Sequence, residues 1–151
     1  MTLPNALRIV RISAGYDLVV TAGFAFSFTA VSIFDVLGAL HAELGLTGTL
    51  PDPTDPMTVM FANLMGSVVT VWAAFRIVRP SLAAGAADVG ARALFSLGMV
   101  TALVHGASPI VLVMLVLEVA WGVVQAVAIV QGHRENAARA GGVLVSTHAH
   151  R

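Results

Sequence analysis

Glu118 stands inside an uninterrupted apolar run, with VLVMLVL before it (residues 111–117) and VAWGVVQAVAIV after it (119–130). An ionisable group in such a stretch is costly unless it is paired or hydrated, so it is read first as a candidate for function. The chemistry open to it is proton relay, or charge compensation for a cationic or hydrogen-bonding ligand. The structural alternative is a glutamic acid kept neutral by desolvation, or one paired with Arg92 to lock helices together. At about 100° per residue, Glu118 shares a helix face with Val111, Met114, Gly122 and Gln125. That face is expected to point inward. Gly122 leaves room for a backbone or a ligand, and Gln125 extends the polar track. Ser67, Thr70 and Arg92 are the expected partners of Glu118.

Other polar groups in apolar surroundings complete the candidate set. Asp88 and Arg92 have i,i+4 spacing, a helix-supporting ion pair worth a few tenths of a kcal/mol when exposed; Arg92 is also long enough to extend toward Glu118. Asn63, Gly66, Ser67, Thr70 and Ala74 share about 100° of arc. Small and hydroxyl side chains at that spacing make a close packing seam, with cavity lining as the second reading. A looser arc holds Asp17, Thr21, Ala25, Ser32 and Asp35, where both acids read as interfacial. Trp72 and Trp121 fall inside helices and read as packing or cavity residues. The candidate buried polar site is therefore Glu118, Gln125, Trp121, Asn63, Ser67, Thr70 and Arg92, with no catalytic residue.

Metal and cofactor chemistry has little support. His41, His105, His133, His148 and His150 include no i,i+4 pair inside an apolar run, which argues against haem or a buried metal. The chain has no cysteine, which removes disulfides, thiolate chemistry and iron–sulfur ligation. Phosphate-binding loops, nucleophile elbows and dinucleotide fingerprints are absent from the sequence. No cofactor is expected.

The elements that must position these residues are membrane helices. Of 151 residues, 58% are hydrophobic and 11% charged, against about 25% charged in soluble domains. A span takes roughly 20 residues, so the length accommodates one all-α four-helix transmembrane bundle and no second domain. The predicted layout is an interfacial segment over 1–14, a membrane domain over 15–132 and a flexible cytoplasmic tail over 133–151, its last five residues disordered. The helices are expected over about 15–40, 57–78, 83–104 and 108–130. The alternation Phe24-Ala25-Phe26-Ser27-Phe28 imitates a strand, but a lone strand cannot satisfy its backbone in a bilayer, so helix is expected there. The loop GLTGTLPDPTDP (45–56) ends the first helix, Asp55 or Pro56 starts the next, and Pro80 stops it.

All eight basic residues are arginines, and all fall on one side of this pattern: Arg8, Arg11, Arg76, Arg79, Arg92, Arg134, Arg139 and Arg151. The connection from about 41 to 56 carries Glu43, Asp52 and Asp55 but no Lys or Arg. Cytoplasmic loops hold the excess of Lys and Arg, so four spans with both termini in the cytoplasm, in a cell inner membrane, are expected. The net charge of zero points to no nucleic-acid partner.

With FANLMGSVVTVWAAFRI in the second helix and LEVAWGVVQ in the fourth, residues 15–132 resemble small four-helix bacterial membrane proteins of the DoxX-like and BphX-like type. The resemblance implies the bundle fold. It names no uniform activity, although some members are associated with quinone-linked redox systems. The residues favour a non-enzymatic accessory or interaction component in the bilayer, forming a homo-oligomer or joining a partner membrane protein. The alternatives are a small proton-coupled transporter using Glu118, and a quinone-linked accessory in which Glu118, Gln125 or Trp121 meets the head group.

Overall fold

The computed structural model describes residues 3–148, which are almost entirely helical: α1 (Leu3–Thr21), a short 3-10 turn (Ala22–Ala25), α2 (Ser27–Glu43), α3 (Pro56–Val78), α4 (Leu82–Val104) and α5 (Ile110–His148). Three helices, α3, α4 and α5, are long and apolar enough to cross a membrane, and a fourth candidate is α1 taken together with α2. Their outward surfaces are covered with exposed Leu, Val, Phe and Met, as expected where lipid is the solvent.

The helices expected over about 57–78 and 83–104 are drawn as α3 and α4, and each starts at a capping residue. Asp55 accepts from the Met57 and Thr58 amides, with Pro56 at the first helical position, where a missing N–H is harmless. The Thr58 hydroxyl, which also donates to Asp55, and then the two amides hold this carboxylate below its ordinary range. Ser81 caps α4 by accepting from the Ala84 amide at 3.0 Å.

The first predicted helix is drawn differently. Helix begins at Leu3, so residues 3–14, expected as an interfacial lead-in, are the opening turns of α1, with Ala6, Val10, Ser13 and Ala14 buried. Ala6 packs at Gly132 of α5, and Val10 lies against Gly85 of α4. The continuous helix expected over 15–40 is broken: α2 leaves the α1 direction by 104°, and Phe26 is extended, with φ −127° and ψ 136°.

Side chains make the break tolerable. Asn63 Nδ2 donates to the Phe24 carbonyl at 2.7 Å, its Oδ1 accepts from the Ser27 hydroxyl at 2.6 Å, and the Thr29 hydroxyl donates to the Gly23 and Phe26 carbonyls. Freed backbone groups at membrane depth require such replacements. Gly66 of α3 packs directly on this turn, since a Cβ there would stand 2.6 Å from the Phe24 carbonyl carbon.

At the other end of α2, His41 Nδ1 meets Ser108 Oγ at 2.8 Å. Beside it, Thr49 exchanges backbone hydrogen bonds with the 106–108 turn, donating to Gly106 and accepting from Ser108. Gly48 lies close over this turn with φ +104°, a conformation and a space that suit only glycine. The 45–56 loop is thus tied to the α4–α5 connection. The tail expected to fray from residue 133 instead continues α5 through His148; residues 149–151 lie outside the described chain.

The helices pack in the order α3, α1, α5, α4. Although α3 and α4 are consecutive and joined by a tight turn, they do not close against each other. A cleft remains between them, with α1 and α5 at its back.

Candidate functional site

Five ionisable side chains from four helices meet at the back of this cleft. Arg92 of α4 is the hub, and each of its nitrogens is used. Nε donates to Asp88 at 3.2 Å, Nη1 to Glu118 at 2.7 Å, and Nη2 to Ser13 at 2.9 Å and to Asp17 at 2.5 Å. Arg76 of α3 is fully buried. Its Nη2 donates to the second Asp17 oxygen, and its Nη1 lies 2.7 Å from Asp88 Oδ2, off the hydrogen-bond axis, so that contact is ionic. The Arg76 guanidinium also lies over the Trp72 ring, 5.8 Å from its centroid.

Neutral groups complete the coordination. Trp72 Nε1 donates to Asp88 Oδ1 at 3.1 Å. Gln125 of α5 donates to Asp88 Oδ2 at 3.0 Å and to the Gly85 carbonyl at 2.8 Å. A guanidinium stays protonated at any ordinary pH and presents its donors as a planar fork, so the two arginines act as fixed positive cross-braces between α1, α3, α4 and α5. Isolated charges here would be prohibitive; the cluster is possible because every charge has opposite neighbours.

The three acids are not equivalent. Both oxygens of Asp17 and both of Asp88 are engaged by donors from other helices or turns. Glu118 is held through Oε2 alone; Oε1 accepts no hydrogen bond among the described residues. The Glu118 side chain is also the most exposed of the five, at 16%. It reaches a cavity of about 460 Å³ in the α3–α4 cleft, walled by Met65, Val69, Phe95, Met99 and Met114, with Asp17, Asp88, Arg92 and Glu118 at its polar end. A second, shallower groove on the α4–α5 surface reaches the same Arg92–Glu118 pair from the other side.

The sequence-chosen residues separate into groups. Glu118, Arg92 and Gln125 come together in the cluster. Trp121 instead packs on Tyr16, ring centroids 5.6 Å apart, and does not line the cavity. Asn63 serves the helix break. Ser67 lies in a groove on α3 beside Val71 and Phe75, and the buried Thr70 hydroxyl has no partner; neither meets Glu118, whose partner is Arg92. The inward face of α3 runs through Gly66, Ala73 and Arg76, rotated from the expected stripe, and Ala74 is exposed.

Reading from the sequence missed Asp17 and Arg76 as site residues. Asp17 is not interfacial but 7% exposed and bridges both arginines. Arg76 was counted with the loop arginines. A signal was available: an arginine two residues before the end of an apolar helix, with Trp72 one turn earlier, can fold back inward as easily as outward. Asp88 and Arg92 do pair with each other, but as part of the cluster and not as a surface device. No protein family, curated protein or solved structure matches the chain.

Proposed function

We propose that this chain is a non-enzymatic membrane component that binds a lipophilic small molecule with a polar head in the α3–α4 cleft. The cavity supports this reading: its walls are apolar, and one end carries a carboxylate with an unengaged oxygen. Small-molecule sites combine an apolar enclosure with a few placed polar groups in this way. No nucleophile with an adjacent base lines the cavity, so the arrangement favours binding over covalent chemistry. Of the three groups offered for a quinone head, Glu118 alone reaches the cavity, so a quinone-linked role would rest on it. A proton-coupled carrier would use the same residue, but the polar groups gather at one level and form no track across the helices.

In the proposed topology, α1, α3, α4 and α5 form a four-helix bundle in the inner membrane with both termini cytoplasmic, and α2 runs across the outer end. Periplasmic-active reporter fusions at residue 50 and cytoplasmic-active ones at residue 151 are expected; the reverse would refute it. The small residues Ala93, Ser96, Gly122 and Ala126 along the α4–α5 groove favour self-association, which crosslinking in native membranes would reveal as a species larger than the monomer.

Ala91 faces the cavity, and Ala91→Trp should fill it. Mass spectrometry of protein purified in mild detergent should show a small lipophile retained by wild type and lost from Ala91→Trp. Identical extracts from the two proteins would sink the binding reading.

A further inference from the structure

We infer that the cavity is selective for a lipophilic monovalent cation, an alkylammonium in chemical class, and that the cation takes the place of a proton on Glu118. This rests on the cavity being a ligand site, as proposed above, and it specifies the ligand's charge.

Two guanidiniums face three carboxylates, which leaves one formal negative charge when all five are ionised. A net charge inside a low-dielectric bundle is unfavourable, so the empty cluster approaches neutrality by holding one proton. Geometry selects the acid that holds it. Asp17 and Asp88 each pair with two arginines, whereas Glu118 pairs with one. Glu118 is also one of the three acids that line the cavity, and the one of them with an unengaged oxygen.

The groups facing Glu118 are Tyr16 and Asp17 from α1, Asp88 and Arg92 from α4, and, across the shared carboxylates, Arg76 from α3. α2 contributes no charged group to the cluster, and α5 contributes only Glu118. None of these supplies a second cation to the free oxygen. A ligand cation seated in the cavity would do so, and Trp72, Phe95 and the three methionines offer polarisable walls to its apolar part.

In the exchange, the Glu118 O–H bond breaks, its electron pair stays on the carboxylate, and the proton passes to water as the cation arrives. The cluster is neutral before and after. An anionic head would bring an uncompensated negative charge to a cluster that is neutral with its proton, and a neutral head would gain a hydrogen bond without the charge compensation.

The test uses the full chain in phosphatidylcholine nanodiscs with three probes of equal chain length: decyltrimethylammonium, decanol and decanoate. The quaternary ammonium cannot titrate, so any proton released comes from the protein. Trp72 fluorescence in a Trp121→Phe background reports occupancy, since only Trp72 lines the cavity. Partition into empty nanodiscs is subtracted.

The cation should bind at least about tenfold tighter than decanol, and decanoate should bind weakest. Below the titration of Glu118 in the empty site, one proton should appear per cation bound, and affinity should rise about tenfold per pH unit before levelling. Glu118→Gln should lose the proton release and the preference for the cation while still binding decanol. The proton count and probe ranking in the Trp121→Phe background alone decide the matter even if that variant does not fold.

Decanol binding as tightly as the cation, with no proton released, would overturn the cation inference; so would a preference for decanoate. In either case, abolition of binding by Ala91→Trp would leave the cavity reading standing. Probe binding unaffected by Ala91→Trp would remove both.

Discussion

The cluster around Arg92 and the break around Phe26 solve the same problem by different chemistry. Both place polar groups among apolar helices. At the break, the groups needing partners are neutral backbone carbonyls, and neutral side chains satisfy them: Thr29 donates to Gly23 and Phe26, and Asn63, itself held by Ser27, donates to Phe24. At the cluster, the groups are ions. Their fields reach farther and their desolvation is more costly, and they are satisfied only by partners from four helices at once. The break therefore joins the α1–α2 segment to α3, whereas the cluster links α1, α3, α4 and α5. It also leaves one carboxylate oxygen unengaged, which the break does not.

The largest effect should come from taking out the hub. Arg92→Met leaves Asp17, Asp88 and Glu118 with one guanidinium among them, and removing one partner of a buried ionic set is expected to cost about 3–5 kcal/mol. Equilibrium unfolding in mixed detergent would measure it. A loss below about 1 kcal/mol would mean that water, and not the other helices, compensates these charges.

Gly66→Val tests the break by packing instead of charge. The new side chain must displace the Phe24–Ala25 backbone, an overpacking cost of about 1–3 kcal/mol. The same unfolding assay should show this loss while the preference of the cavity for a cation, set by Glu118 and Arg92, stays near wild type. Loss of that preference in parallel would show that the two regions are coupled.

Glu118→Gln should be milder than either, about 1 kcal/mol, because Arg92 keeps Asp17, Asp88 and Ser13 and the amide oxygen can still accept a hydrogen bond. Glu118→Leu should cost more than Gln by leaving Arg92 Nη1 without an acceptor. Equal losses for the two would argue that Glu118 contributes nothing through Arg92.

The smallest effect lies outside the apolar core, at the Asp55 cap. Its carboxylate is held below its ordinary value, chiefly by the Thr58 hydroxyl. The stabilisation is therefore fully present above the unfolded-state value of 3.8 and is lost as pH falls through the lower folded value. Amide shifts of Met57 and Thr58 should titrate with a midpoint below 3.8, and Asp55→Asn should abolish that titration. A midpoint at or above 3.8 would show that the capping bonds do not favour the ionised form.

How much was legible follows residue by residue. Asp55-Pro56 announces α3 because helix starts are local, decided by which side chain can meet an amide two or three residues on; Ser81 caps α4 in the same way without having been singled out. Glu118 was legible as a site because a charge in an apolar run is anomalous wherever it occurs. The break at Phe26 is not legible locally: beyond the alternation of Phe24 to Phe28, it depends on Gly66 and Asn63, about forty residues away, which no local rule connects to it. Asp17 and Arg76 were placed at interfaces because each sits near a helix end, and position along a helix says nothing about the direction of a long or short side chain.

By itself, the sequence determined that the described chain is helical, that its helices are apolar enough for a membrane, and where most of them start. Periodicity, caps and composition are properties of neighbouring residues. Tertiary structure alone decided that Asp17, Arg76, Asp88, Arg92 and Glu118 are one cluster, and that Glu118 is its incompletely satisfied member. Which oxygen receives which donor depends on helix rotation and depth. These are set by contacts such as Val10 on Gly85 and Ala6 at Gly132, between residues far apart in the chain.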